Sequence, residues 1–110
     1  EGETYASMTW QWEKLNDCIE RRFFSGERLT VAQFRLKAGC VVQRHSHPQE
    51  QITIVLEGLL EFEVGGRGFT AAAGDVVHVP PGVEHLAAAV TDAVVVDVFS
   101  PPRDDWGRRA

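Results

Sequence analysis

The chain has 110 residues, 44% of them hydrophobic, and 11 Lys and Arg against 16 Asp and Glu give a net charge of −5 with histidine neutral. This length fits one domain with a core of its own, so residues 1–110 are read as a single domain, with 1–9 a flexible or appended leading segment. An acidic balance with no Lys/Arg cluster argues against nucleic acid and anionic membrane as partners, and no apolar run reaches the roughly 18 residues of a membrane span.

The segment 1–8 lacks the charged and apolar regions of a signal peptide. Cys18 and Cys40 make neither a disulfide framework nor a zinc-finger spacing. Two reduced thiols in a cytoplasmic protein are the expectation. Trp10 and Trp12, two apart, give the N-terminal segment an apolar face with which to extend a neighbour's sheet.

No stretch keeps a helical period over three turns, whereas short β-rich runs alternate with turn residues. Strands are predicted at 19–24, 29–36, 51–56, 60–64, 68–72, 76–79, 84–90 and 93–99. Gly65-Gly66 marks a tight hairpin, and Ala73-Gly74-Asp75 and Pro80-Pro81-Gly82 mark further turns. Many short strands at near-regular spacing predict an all-β sandwich or closed barrel, which the Pro-rich tail leaves at Pro101.

Two of these strands carry more. In the first, Gln51, Thr53 and Val55 share one face and Ile52, Ile54 and Leu56 the other; in the last, Val95, Asp97 and Phe99 oppose Val94, Val96 and Val98. A face without a polar residue needs cover, and a second copy of the chain in a homodimer is the simplest cover.

His45-Ser46-His47 places two imidazoles on one side of an extended chain, Gln51 follows with the same parity, and His85 stands after the Pro-Pro-Gly turn. Three imidazoles and an amide oxygen are four neutral ligands, which would leave a divalent ion its full Lewis acidity. On its own a His-X-His pair is more often surface or core histidine, and neither Gln51 nor His85 is at a tight spacing. Glu50 has the opposite parity to the ligand set, and His78 is read as packed or surface histidine.

The spacing resembles that of the cupins. Their first motif, Gly-x5-His-x-His-x3/4-Glu-x6-Gly, falls on Gly39, His45, His47, Gln51 and Gly58, with Gln51 in place of the glutamate. Their second, Gly-x5-Pro-x-Gly-x2-His-x3-Asn, falls on Gly74, Pro80, Gly82, His85 and Ala89, with Ala89 in place of the Asn. The resemblance implies a jelly-roll β-barrel (a double-stranded β-helix), usually dimeric, with one divalent metal ion on His45, His47, Gln51 and His85.

The run His47-Pro48-Gln49-Glu50-Gln51-Ile52 and the segment from Asp97 through Arg103 to Trp106 are similar to one subgroup, the KdgF family of pectin degradation, which linearises unsaturated uronates. The similarity implies catalytic roles for Asp97 and Arg103 and substrate contacts at Phe99, Thr53 and Arg103. Gln49 and Ile54 stand where many relatives have His and Tyr, and both are expected near the site. Asp97 inside an apolar run needs a reason of its own, since an unpaired buried charge is costly. That reason is either a function or an ion pair with Arg35 or Arg44. Arg103 is either a surface arginine or a fork for a substrate carboxylate, and Trp106 either closes the barrel mouth or lies on the surface.

The function implied is a metal-dependent isomerase that opens and ketonises a 4,5-unsaturated uronate to a linear 4-deoxy-5-keto uronate. The alternatives are a barrel that binds or senses a small molecule without turnover, and an iron-dependent oxygenase. The ligand set suits nickel, zinc, manganese, iron or copper alike.

Overall fold

Alternation of side chains across a strand organises nearly all of the chain. The computed structural model describes Ser7 and residues 9–107, so most of the leading segment at 1–9 lies outside the described residues. The strands are β1 (Glu13–Lys14), β2 (Ile19–Ser25), β3 (Thr30–Leu36), β4 (Val41–His45), β5 (Glu50–Glu57), β6 (Leu59–Val64), β7 (Arg67–Ala72), β8 (Val76–Val79), β9 (His85–Ala89) and β10 (Ala93–Ser100). One 3₁₀ turn, Asp104–Trp106, follows. The strands form two antiparallel sheets, in the order β1-β2-β3-β10-β5-β8 and β4-β9-β6-β7. This is the all-β, two-sheet architecture that the sequence predicts.

The eight predicted strands are present within a residue or two of their expected ends. β1 and β4 are not predicted. β4 escapes a period-2 reading because its ladder with β9 is irregular between Val42 and His45. The β6–β7 hairpin turns on Gly65 and Gly66, at φ 58° and 81°, the pair of positive angles that a two-residue hairpin loop requires. Gly58 (φ 90°) lets β5 run straight into β6, since a Cβ there would collide with the backbone oxygen of Asp92.

Register on the inner face of the larger sheet sets the site. One row across it is Ser25, Thr30, Phe99, Gln51 and Val79; the next is Phe23, Ala32, Asp97, Thr53 and Val77; a third begins Arg21, Phe34, Val95. The apolar core lies toward one end, where Leu36, Val55, Leu60, Phe62, Val77 and Val95 are buried together. A smaller cluster of Phe23, Ala32 and Phe99 lies under Trp106.

Two expectations need correction. Cys18 and Cys40 are not free thiols but form a disulfide, with Cα atoms 5.7 Å apart. Lys37 brings them together: its N–H donates to the Cys18 carbonyl and its own carbonyl accepts from the Cys40 N–H, both at 3.0 Å. The cysteines therefore give no argument for a reducing compartment. The tail does not leave at Pro101. Its Trp106 ring meets those of Phe23 and Phe99 edge-on, each with centroids 5.2 Å away, and closes one end of the barrel. Trp10 and Trp12 lie over the guanidinium of Arg22 at 4.8 and 4.5 Å. No helix among the described residues is long and apolar enough to cross a membrane.

Candidate metal centre

His45 ends β4 and pairs in register with His85 at the start of β9. His47 lies two residues beyond His45, and its carbonyl accepts from Gly82 N–H at 2.9 Å, which ties the His-X-His loop to the Pro-Pro-Gly turn. The ligand atoms of His45, His47 and His85 all fall within 4.8 Å of one another. Gln51 enters from the other sheet, with its side-chain oxygen 2.9 Å from His47 Nε2. The four residues named from the sequence thus come together.

The protons on these rings are fixed by the backbone. Nδ1 of His45, His47 and His85 faces the carbonyls of Gln43, Gln49 and Val83 at 2.8, 3.1 and 2.9 Å. In each neutral ring the proton therefore sits on Nδ1 and the lone pair on Nε2 points inward. Burial lowers the pKa of His47 and of His85, which favours the neutral ring; the charge of Arg103 adds to the effect on each.

Two features call for a cation. His85 Nε2 is buried with no hydrogen-bond partner, a loss of about 1–3 kcal/mol. His47 Nε2 and Gln51 Oε1 face each other as two acceptors, because the Gln51 amide nitrogen is committed to Thr53 Oγ1 at 2.9 Å. A positive ion at this point satisfies all of these lone pairs, so the residues fit a divalent metal held by three imidazoles and one amide oxygen.

The network continues inward. Thr53 Oγ1 accepts from Gln51 and donates to Asp97 Oδ1 at 2.6 Å. Asp97 is buried, and burial raises its pKa to about 7, against the opposing pull of the Thr53 hydrogen bond and the Arg103 charge. It has no ion pair with Arg35 or Arg44, which hold Glu20 and Glu63 instead.

A cavity of about 240 Å³ runs from His45, His85 and Gln51 past Asp97 to Phe99, Arg103 and Trp106. Arg103 is buried, and its guanidinium lies 4.8 Å from the Phe99 ring centroid and 4.3 Å from that of Trp106. Its Nε and Nη2 both donate to Asp105, at 3.0 and 2.9 Å. Arg21 lines the same cavity and was not singled out by sequence. Its one signal is parity with Ile19 and Phe23, which face inward.

The other expectations separate cleanly. Glu50 points to solvent and contacts His78 Nε2 at 2.7 Å, so neither belongs to the site. Ile54 lies on the outer face, 36% exposed, and is not near the site as expected; its parity with Ile52 puts it there. Gln49 is buried beside His47, with its amide donating to the Pro102 carbonyl at 3.1 Å.

A family model described as a cupin domain matches residues 32–99. An uncharacterized protein of Streptomyces coelicolor is 33% identical over 88 residues, 79% of this chain and 84% of that protein. Among solved structures, KdgF from Halomonas sp. superposes with a TM-score of 0.83 at 30% identity, covering 87% of this chain and 90% of that one. An RmlC-like cupin from Shewanella frigidimarina superposes with a TM-score of 0.86 at 27% identity, covering 96% of both.

Proposed function

This chain belongs to the cupin domain family, and we propose that it is a metal-dependent enzyme that opens and ketonises a 4,5-unsaturated uronate. The observation that carries the reading is the hydrogen-bonded line Gln51–Thr53–Asp97. It joins a cluster of four neutral ligands to a buried carboxyl that titrates at about 7, near the pH at which a group both takes and gives a proton efficiently. Similarity to the Halomonas KdgF over most of both chains adds to it.

A divalent ion on His45, His47, His85 and Gln51 would supply Lewis acidity to substrate oxygens. The remaining work falls to the chain. Asp97 takes the proton of the anomeric hydroxyl as the bond from that carbon to the ring oxygen breaks, leaving an aldehyde and an enolate. It then returns that proton to C4 as the enolate becomes a ketone, so the reaction is an isomerisation with no atom gained or lost. Thr53 holds Asp97 in place through its hydroxyl. The guanidiniums at the cavity's far end supply positive charge for a carboxylate, and Phe99 and Trp106 wall off water.

The test is direct. The metal-loaded protein is given the unsaturated uronate without oxygen, and the conjugated C4=C5 absorbance and the NMR spectrum are followed. Loss of that absorbance, with open-chain keto product formed only when metal is present, is expected. An unchanged sugar that nonetheless binds points to a binding protein, and turnover that needs oxygen points to an oxygenase; either result overturns the proposal.

A further inference from the structure

Two guanidiniums share the aromatic end of the cavity, and they are not equivalent. Both lie on Trp106, with Arg21 Cζ 4.1 Å and Arg103 Cζ 4.3 Å from its ring centroid. Arg103 offers Nε and Nη2 to Asp105, so one of its two parallel-donor edges is taken and its charge is already met by a carboxylate in a two-point grip. Arg21 meets its partner Glu13 through Nε alone, at 2.8 Å. Neither of its terminal nitrogens has a hydrogen bond among the described residues.

The placement of Arg21 asks for an explanation. It lies on the inner face of β2, opposite Phe34 and between Ile19 and Phe23, and its side chain is only 13% exposed. A cross-strand ion pair to fasten this sheet needs no inward cation: Arg35 and Glu20, also in register, pair at 2.7 Å with both side chains more than 40% exposed. Withdrawing a guanidinium from water costs free energy unless its charge is met, and Glu13 meets it on one side only.

We infer that Arg21 receives the ligand's carboxylate in this cavity, through its two terminal nitrogens, while Arg103 is a fixed cation held by Asp105 and the two aromatic rings. The inference rests on the sugar-acid reading above and changes one assignment within it, since the family resemblance offers Arg103 for the carboxylate. The cavity then has a metal-ligand end and an anion end, and it selects a small molecule with oxygen donors at one end and a carboxylate at the other.

The experiment is a calorimetric titration of Ni²⁺-loaded protein with D-galacturonate and, as the uncharged control, D-galactose. The unaltered protein prefers galacturonate. Arg21→Gln loses that preference by roughly 10- to 100-fold, as expected for a charge-assisted pair. Arg21→Lys keeps part of it, and metal content is the same in all. Glu13→Gln, which breaks the same ion pair but leaves the guanidinium, keeps the full preference. Galacturonate bound equally well by Arg21→Gln overturns the inference and leaves the sugar-acid reading standing. A loss in Glu13→Gln equal to that in Arg21→Gln also overturns it, because the pair would then be only a fastening between β1 and β2. Galacturonate and galactose bound alike by the unaltered protein would overturn both.

Discussion

The two faces of β5 and β10 are built from alternate residues of the same strands and have opposite characters. The inner face carries Gln51, Thr53, Asp97 and Phe99, all buried. The outer face carries Ile52, Ile54 and Leu56, exposed at 39%, 36% and 46%, beside half-buried Val94, Val96 and Val98. In a domain stabilised only by its own core the polarity runs the other way. The inversion teaches that the interior of this barrel is a site as much as a core. Its apolar core is displaced to one end, and the polar residues left inside are hydrogen-bonded in a line.

The largest effect tests the inner face at its ligands. His85→Ala removes a proposed ligand that stands on the sheet opposite Gln51, and metal content by elemental analysis should fall from an expected one ion per chain to near none. Binding that survives at full stoichiometry would mean that the ion sits elsewhere.

Asp97 comes next. Its carboxyl titrates at about 7 when folded, against an ordinary value of 3.8, so across that window the folded state keeps a proton that the unfolded state has released. Its contribution to stability is full below about pH 4, declines as pH rises, and is gone above pH 7, a change on the order of 4 kcal/mol. Denaturant titrations of metal-free protein at several pH values, compared with Asp97→Asn, isolate the effect. The variant should lack this decline with rising pH, and parallel curves for the two proteins would show Asp97 ionised throughout.

Thr53→Val cuts the line in the middle. It leaves the Gln51 amide and an Asp97 oxygen without their partner, so stability should fall by about 1–3 kcal/mol. Metal affinity should fall roughly 10- to 100-fold as Gln51 loses its orientation. Unchanged affinity would show that the amide is oriented by something else.

The outer face should respond to a different probe. A second copy laid on the Ile and Val rows is the proposed cover, since two-fold pairing is the commonest way for identical chains to bury such a face. Light scattering at low micromolar concentration should give twice the chain mass for the unaltered protein and the single mass for Ile54→Lys, with metal content equal in both. A single mass for the unaltered protein would reject the dimer.

Much of this was legible in the sequence because strand parity and motif spacing both survive in the fold. Parity placed Gln51, Thr53, Asp97 and Phe99 on shared faces, and the resemblance to the two cupin motifs joined His85 to His45 and His47. What was not legible depended on contacts between distant segments. The Cys18–Cys40 bond is arranged by Lys37, and the return of the tail is arranged by the rings of Phe23 and Phe99. Arg21 sits in the charged run Glu20-Arg21-Arg22, which reads as solvated until Trp106 arrives from the far end of the chain. Ile54 was misplaced by analogy although its own parity put it outside.

The central claim is that a carboxyl held behind a metal centre moves the proton. The measurement that tests it most directly is the single-turnover rate on the unsaturated uronate for the metal-loaded protein and for Asp97→Asn, with metal content determined on the same samples. The account predicts one ion per chain in both and a rate lower by about 10²- to 10⁴-fold in the variant. Equal rates at equal metal content would contradict it.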